Sequence, residues 1–426
     1  MGLTGKLQTV INTITAIALL LVTSASIADE INYDYRAHIK YQSVLSNYPT
    51  DSLFQNLTDD PAWDNNADLR LNFSAYKDAW ALQADYQLII KTGDAVSMLQ
   101  QNPGFGFNSQ LIPDDETRLM DLTHIISQDD GSITAHRLDR LYVNYSSDQS
   151  VFKIGRQAIS WGNGLIYNPM DFFNPFDPAA VDKEYKTGDD MIYGQYLFDS
   201  GNDLQAVWVG RRDTNGDIDS DVASSAAKYH WFLGDYEFDM LFAEHFDHRT
   251  IGLGAVVNAG GAIWRSDLVV ADIANDSVVS GVINISYSWV AWNKNVSAAV
   301  EYYRNGFGID DGDYSPAILA TNTELLQRIA RGELFTLGKH YLAASATIEL
   351  SPLWLFTPNV FVNLDDGSLM LQIMSQHDLQ QNLQLLIAAH FPIGDDGSEF
   401  GGIDSGVPGQ PLSVGESVFM QLAWYF

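Results

Sequence analysis

The stretch that decides the fold runs from residue 142 to residue 190 and reads YVNYSSDQSVFKIGRQAISWGNGLIYNPMDFFNPFDPAAVDKEYKTGDD. Two strand-like runs, 138–146 and 151–161, flank a polar turn, which predicts a β-hairpin. The loop at 162–189 then carries seven large apolar side chains, too many for a loop in water: Leu165, Ile166, Tyr167, Met170, Phe172, Phe173 and Phe176. Because the rest of the chain supplies mainly further hairpins, we expect this loop to be buried inside a barrel.

The first 28 residues have the features of a secretory signal peptide. A weakly basic start at Lys6 and an apolar run at 16–22 precede a small-residue cleavage site, Ser26-Ile27-Ala28. A membrane anchor needs about 20 continuous apolar residues, and Asn12, Thr13 and Thr15 interrupt this run. No later segment is apolar enough for a membrane helix, so a membrane role would have to use strands.

The composition excludes several classes of protein. The chain has no cysteine, which removes thiolate metal sites and disulfides. Its 54 acidic and 23 basic side chains give a net charge of −31, which becomes −32 when Lys6 leaves with the signal peptide. Such acidity argues against a nucleic-acid partner and suits loops beside lipopolysaccharide headgroups bridged by divalent cations. The many aromatic residues indicate a folded chain.

Alternation with period two dominates from residue 33 onward and predicts an all-β protein. We predict eighteen strands, with sixteen as the alternative count, at 33–43, 67–76, 80–91, 134–146, 150–161, 190–198, 203–212, 222–232, 235–246, 249–258, 261–272, 277–289, 294–304, 336–350, 354–364, 367–376, 382–391 and 415–426. A β-sandwich would also alternate, so alternation alone does not separate a sandwich from a barrel.

The connections between strands favour the barrel. Long gaps, such as 92–133, 162–189 and 305–335, alternate with gaps of a few residues, such as 147–149 and 290–293. Short periplasmic turns and long extracellular loops are typical of outer-membrane barrels, whose closure pairs every backbone group in lipid. We therefore predict one transmembrane antiparallel barrel over residues 29–426, with both termini in the periplasm and the first and last strands paired.

The final strand, SVFMQLAWYF at 417–426, supports the same fold. It places Phe426, Trp424 and Leu422 on one face and ends in an aromatic residue. Outer-membrane barrels typically end this way because the barrel assembly machinery recognises the last strand. We therefore interpret Phe426 and Trp424 as the assembly signal.

Three short motifs carry a resemblance to known families: Gly155-Arg156-Gln157, Trp161-Gly162 and Asn174-Pro175-x-Asp177. This pattern resembles a signature of proteobacterial outer-membrane barrels of the porin and exporter type. Those families include uncharacterised exporter-associated barrels and, more loosely, alginate-export barrels. The resemblance implies a barrel in the outer membrane, and the alginate-export type would imply a basic lumen that selects an acidic polymer.

If polar side chains face inward, charged residues line the lumen. The basic set is Arg36, His38, Lys40, Arg70, Arg140, Arg156, Lys228, His230, Arg265 and Lys339, and the acidic set is Asp85, Glu237, Asp239, Asp267, Glu301 and Glu349. The loop at 162–189 would bring Asp171, Asp177, Asp182 and Glu184 toward Arg140, Arg156 and Arg36. Acid on the loop and base on the wall would form a constriction with a transverse field. Alternatively, the lumen charges pair for structure alone, or the loop folds outward.

Catalytic and metal sites are poorly supported. His245 with Glu244 and Asp247 is the nearest constellation to a catalytic site, but no motif surrounds it, so we predict no enzyme. Asp213-x-Asn215-x-Asp217-x-Asp219 lacks the glycine and closing glutamate of a calcium loop. We predict no metal and no cofactor. A capping box, Thr321-x-x-Glu324, predicts one helix, packed on neighbouring loops or capping the pore.

These observations predict a porin-like channel for small polar or charged solutes in a Gram-negative outer membrane. The expected partners are outer-membrane lipid and lipopolysaccharide, the barrel assembly machinery and the solute itself, with no nucleic acid. The alternative is a partner-dependent component, an exit duct or sleeve for an export or envelope machine. Conductance without a partner would separate the two.

Overall fold

The computed structural model describes residues 31–102, 111–273 and 276–426. The predicted signal peptide, residues 1–28, lies outside the described residues. The described strands are β1 Asn32–Ser46, β2 Ala62–Lys77, β3 Trp80–Gly93, β4 Thr123–Asp129, β5 Ser132–Ser146, β6 Ser150–Gln157, β7 Asp189–Leu197, β8 Asp203–Val209, β9 Ser224–Leu233, β10 Tyr236–His245, β11 His248–Ala259, β12 Ala262–Ile273, β13 Asp276–Ala291, β14 Lys294–Arg304, β15 His340–Ser351, β16 Trp354–Asn363, β17 Leu369–Gln380, β18 Leu383–Ile393 and β19 Ser417–Tyr425.

Eighteen of these strands close into one antiparallel barrel. Each strand except β4 pairs with its neighbours in the order β1, β2, β3, β5 and onward to β19, and β19 pairs back to β1 from His38 opposite Tyr425 to Ser46 opposite Ser417. The predicted barrel of about eighteen strands, with its first and last strands paired, is confirmed.

Strand β4 was not predicted, because its seven residues lie within the gap that the pattern assigned to a loop. It pairs with the first half of β5, from Thr123 opposite Arg137 to Asp129 opposite Ser132. The second half of β5 pairs instead with β6. Strand β6 ends at Gln157 and not at the predicted residue 161. β4 therefore covers the part of β5 that the short β6 leaves unpaired.

Loop length separates the two ends of the barrel. Connections of two to five residues join the strands at one end, including type I′ turns with positive φ at Trp292 (51°) and Asn293 (57°). The other end carries the long connections 47–61, 94–131, 158–188, 305–339 and 394–416, together with shorter ones such as 246–247 and 364–368. This alternation of short and long connections is as predicted.

In the described part of the long connections lie three α-helices, α1 Asp94–Gln101, α2 Pro316–Leu319 and α3 Thr323–Ala330, and one 3-10 helix, Leu53–Asn56. The predicted capping box is wrong by one residue, because the Asn322 side chain accepts from Leu325 N and caps α3, whereas Thr321 Oγ1 donates to the Ile318 carbonyl. Leu325 packs with residues of the 305–339 and 394–416 connections. The apolar face of α3 is therefore part of the packed layer that these connections form, which we call the loop layer. No helix among the described residues has the length and apolarity to cross a membrane.

The two faces of the barrel wall differ in chemistry. The outer face is apolar and aromatic, as the last strand illustrates with Leu422, Trp424 and Phe426, which are 39%, 47% and 58% exposed. The inner face is polar on β17 to β19 and β1 to β5, but apolar over much of β7 to β16, where Val207, Leu241 and Val282 are buried. The rule that polar residues face inward therefore holds for only part of the wall.

Candidate functional site

The candidate site is built by the loop between β6 and β7, residues 158–188, which we call the inner loop. Its first half packs on the apolar part of the inner wall. Trp161, Met170 and Phe173 are 3%, 0% and 2% exposed and form one cluster with Leu241 of β10 and Val269 of β12. Burial of each such side chain contributes roughly 1.5 to 3 kcal/mol. The inner loop is thus attached by its hydrophobic side chains.

A second apolar contact lies further around the wall. Tyr167 stacks on Tyr303 of β14 with ring centroids 4.7 Å apart and lies 5.6 Å from the Tyr341 ring of β15. Phe361 of β16 completes this cluster. Among the seven apolar residues singled out in the sequence, Leu165 remains 45% exposed, so the expectation of burial is wrong for it.

Carboxylates on the wall bind the backbone of the inner loop. The fully buried Glu301 of β14 accepts hydrogen bonds from the backbone N–H groups of residues 165, 166 and 167 at 2.7, 3.1 and 2.6 Å. Asp267 of β12 accepts from Asn163 N at 2.6 Å and from Asn163 Nδ2 at 2.7 Å. On this side the acid lies on the wall, which reverses the predicted polarity.

Gly164 allows the chain to turn tightly enough for this contact. A Cβ atom at Gly164 would lie 1.8 Å from the Tyr167 carbonyl oxygen, so any side chain would collide with the backbone. Asn168 closes the same turn by donating from Nδ2 to the Trp161 carbonyl at 2.8 Å. Three consecutive N–H groups consequently point at Glu301.

The second half of the inner loop has the predicted arrangement, with acid on the loop and base on the wall. Lys40 Nζ of β1 lies 2.6 Å from Asp182 Oδ2 and 2.7 Å from Glu184 Oε2. Glu184 Oε2 also accepts from the Tyr425 hydroxyl at 2.9 Å. Before this, the Ala179 carbonyl accepts from Gln372 Nε2 of β17 at 2.7 Å.

The end of the inner loop returns to β5. Lys186 Nζ donates to Asp171 Oδ1 and Oδ2 at 2.7 and 2.6 Å, which joins the two halves of the loop. The Lys186 carbonyl accepts from Arg140 Nη2. Asp171 therefore pairs within the loop, not with the wall as predicted.

In chain order, the inner loop contacts β10 and β12, then β14, β17, β19 with β1, and finally β5. It follows the inner wall around the barrel instead of crossing it along a diameter. Its bulky first half lies on the apolar wall of β7 to β16. The polar wall of β1 to β5 is left facing water-accessible space.

Two cavities lie along this polar wall. One, of about 250 Å³, is lined by residues of β1, β2, β3 and β5 and by the inner loop, among them Lys40, Asp68, Arg70, Lys91, Arg137 and Asp139. The other, of about 670 Å³, is nearer the short turns and is lined by Arg36, Asn72, Gln83, Glu184 and Phe426 among others. His38 and Tyr185 line both cavities.

Several predicted pairings of wall and loop are wrong. Arg36 lies at the mouth near the short turns, where its side chain is 80% exposed and pairs with Asp34 at 3.2 Å. Arg156 is fully buried and binds Asp190 at 2.8 Å and Asp115 at 2.7 Å, so it fixes the 94–131 connection to β7.

Other predicted residues form local contacts. The side chain of Asp177 accepts from Ala179 N at 2.8 Å and stabilises a turn of the inner loop. Arg70 of β2 pairs with Asp139 at 3.0 Å, and Arg140 pairs with the same carboxylate at 2.8 Å. Neither arginine binds a loop carboxylate, because Asp139, which the sequence did not single out, already lies between them.

The remaining predicted lumen residues lie elsewhere. Lys228 pairs with Asp239 at 3.2 Å, and Arg265 donates to Ser286 Oγ at 2.9 Å. Lys339 is in the 305–339 connection, where it pairs with Asp310 at 2.7 Å. None of these three lines the two cavities.

His245 has other partners than those the sequence suggested. Its Nδ1 lies 2.8 Å from Ser224 Oγ and its Nε2 lies 3.1 Å from Glu333 Oε1. The order serine, histidine, carboxylate is that of a hydrolase, but all three groups are buried and Arg211 donates to Ser224 Oγ at 2.6 Å. Burial opposes ionisation of Glu333, yet His245 and Arg328 lower its pKa to about 2. The cluster holds the 305–339 loop to β10.

Glu399 links three connections at the long-loop end of the barrel. Its carboxylate accepts from Leu337 N at 2.8 Å, from Asn363 Nδ2 at 2.7 Å and from the Tyr341 hydroxyl, and its own N–H donates to Asp366 Oδ2 at 2.8 Å. Burial raises the pKa of Glu399 to about 7, and the nearby Asp366 acts in the same direction. The loop layer therefore contains a carboxyl group that titrates near neutrality.

We expect Glu399→Gln to remove a pH dependence of the loop layer. Because the pKa is raised above its ordinary value of 4.5, the protonated group stabilises the loops below that value, and this contribution is lost as the pH rises through about 7. Hydrogen exchange of residues 334–338 and 394–402 should speed up between pH 5 and 8 in the wild type beyond the intrinsic rate, and less so in the variant. Glu416→Gln, at an exposed site of the same loop, is the control; equal pH slopes in all three proteins would contradict the assignment.

Comparison with known proteins places the fold. No known family model and no curated protein matches the chain. Solved structures do: OccK5 (OpdH) of Pseudomonas aeruginosa, with a TM-score of 0.52 and 11% identity over 92% of this chain and 98% of that one; OccAB4 of Acinetobacter baumannii, with 0.52 and 8% over 93% and 99%; and a BenF-like porin of Pseudomonas fluorescens Pf-5, with 0.52 and 9% over 93% and 98%. At these identities the likeness shows the fold, an eighteen-stranded barrel.

Proposed function

We propose that this barrel is a channel of the Gram-negative outer membrane that passes small polar or charged solutes. The observation that carries the proposal is the path of the inner loop, which occupies the apolar side of the lumen and leaves two cavities along the polar wall. Barrels of 16 to 18 strands leave an aqueous lumen that loops must narrow to give selectivity. The porin fold of the structural neighbours supports the same function.

Charge in the smaller cavity favours anions as the preferred solutes. Lys40, Arg70, Lys91 and Arg137 line it, against Asp68, Asp139 and Asp182. Arg137 is 2% exposed, and its Nε and Nη2 donate no hydrogen bond within the described part of the chain; its nearest carboxylate oxygen, Asp139 Oδ1, is 3.4 Å away. Buried N–H donors without an acceptor are costly, so an anion that supplied oxygen atoms would gain from binding there.

The purified wild-type protein should conduct steadily in planar bilayers with no partner present. Its reversal potential in a salt gradient should show a preference for anions, and Lys91→Gln with Arg137→Gln should reduce that preference. Arg265→Gln is the matched control, because it removes an inward cation that lines neither cavity. A silent wild-type barrel would contradict the proposal and favour a partner-dependent component.

We also propose that the short turns and both termini lie in the periplasm and that the long loops face outward beside lipopolysaccharide. The separation of loop lengths supports this orientation. Because the chain has no cysteine, single cysteines can report on it. Asp311→Cys should react with an impermeant thiol reagent on intact cells and Asp235→Cys should not; the reverse pattern would invert the barrel.

A further inference from the structure

The two cavities along the polar wall meet at one pair of side chains. The cavity near the short turns and the smaller cavity deeper in the barrel are both lined by His38 and Tyr185. His38 belongs to β1 and is 2% exposed, whereas Tyr185 belongs to the inner loop and is 37% exposed. The ring of Tyr185 is thus the part of this pair that stands in open space.

The position of the Tyr185 ring is set by contacts on the wall. Its centroid lies 5.3 Å from that of the His38 ring in a stacked arrangement, and the Arg70 guanidinium carbon lies 4.0 Å from it. Lys40 Nζ lies 5.6 Å away. Cations over a ring face and stacked rings are attractive but weak contacts. They hold the ring against the wall.

The backbone on both sides of Tyr185 is held more firmly than its ring. Glu184 binds Lys40 at 2.7 Å and the Tyr425 hydroxyl at 2.9 Å, and Lys186 binds Asp171 at 2.6 Å. These ion pairs hold the loop on both sides of Tyr185 and thereby fix the ring where the two cavities meet.

We propose that Tyr185, resting on His38, is the gate between the two cavities and determines which solutes pass. This inference rests on the proposed channel function and names the residue on which its size limit depends. A solute that moves from one cavity to the other passes the edge of the Tyr185 ring, beside the donors of Arg70. The size limit depends on the area of the Tyr185 ring and not on its hydroxyl group.

Single-channel recording and liposome swelling test the proposal. Tyr185→Ala should raise conductance about twofold or more, because the ring narrows the water-filled path, and should admit larger neutral sugars. Tyr185→Phe should behave as the wild type. Tyr41→Ala removes an aromatic ring from the lipid-facing side of β1 and should change nothing. If Tyr185 served only to stabilise the fold, Tyr185→Ala would not admit larger sugars than the wild type does.

A cysteine variant keeps the test decisive if Tyr185→Ala fails to fold. In the otherwise cysteine-free chain, Tyr185→Cys should conduct more than the wild type, and a bulky methanethiosulfonate reagent should then reduce the current. Unchanged conductance in folded Tyr185→Ala, or no response of Tyr185→Cys to the reagent, would overturn the gate. A wild type that never conducts would overturn the channel function itself, so the two failures are distinguishable.

Discussion

Replacement of residues 165–180 by a glycine-serine linker of the same length is expected to raise single-channel conductance severalfold and to weaken ion selectivity. The exchange removes Tyr167, Met170 and Phe173, whose burial contributes roughly 1.5 to 3 kcal/mol each. It leaves Lys40 with its partners Asp182 and Glu184. A linker without apolar side chains has no reason to stay on the wall, so the lumen should open on the side that the inner loop now fills.

Two further variants make this experiment interpretable. Replacement of residues 404–410, at the exposed tip of an outer loop, by the same type of linker should leave conductance unchanged. Glu301→Gln should give a smaller effect than the linker, because its one amide oxygen can still accept from the N–H groups of residues 166 and 167, whereas the amide nitrogen cannot accept from the N–H group of residue 165. One buried donor is then left without an acceptor, which costs about 1 to 3 kcal/mol. Unchanged conductance in a folded linker variant would reject the constriction and favour a partner-dependent barrel.

The strands were predictable because the alternation of polar and apolar residues and the turn residues are local features of each hairpin's sequence. Residues 279–289, for example, place Ile283 outside and Asn284 inside, at 50% and 2% exposure, as their pattern requires. β4 escaped prediction because a seven-residue strand in a long connection looks like any other loop. Its existence depends on β6 being short, and that is visible only once register is known.

The burial of the inner loop was predictable from the sequence, but the contacts between individual loop and wall residues were not. An apolar loop of that length had to be buried, and the contacts of Trp161 and Tyr167 show where. The partners depend on strand register and height, which the sequence does not state. The inward rule also fails at Val207 and Leu241, because an inner wall that receives an apolar loop must itself be apolar. Glu301 and Asp267 were therefore seen as lumen charges, not as acceptors for the loop backbone.

The C-terminal residue has two separate contacts that an assembly role would use. Its backbone closes the barrel, because Phe426 N donates to the Ala37 carbonyl and Ala37 N donates to the Phe426 carbonyl, each at 2.9 Å. Its ring projects outward, 58% exposed, with its centroid 4.9 Å from that of Trp424. Because Phe426 also lines the larger cavity, an assembly role is tested on the amount of folded barrel and not on conductance.

Phe426→Asp should strongly lower the amount of folded barrel in the outer membrane, because it places a charge where the assembly machinery would meet an aromatic ring. Phe426→Tyr keeps the ring and should assemble normally. The measurement is the heat-modifiable fraction in isolated outer membranes, compared with refolding of the same purified variants into detergent, where no machinery is present. A loss in cells with normal refolding in detergent would assign Phe426 to recognition. Equal losses in both would assign it to barrel closure alone, and normal levels in cells would reject any role in assembly.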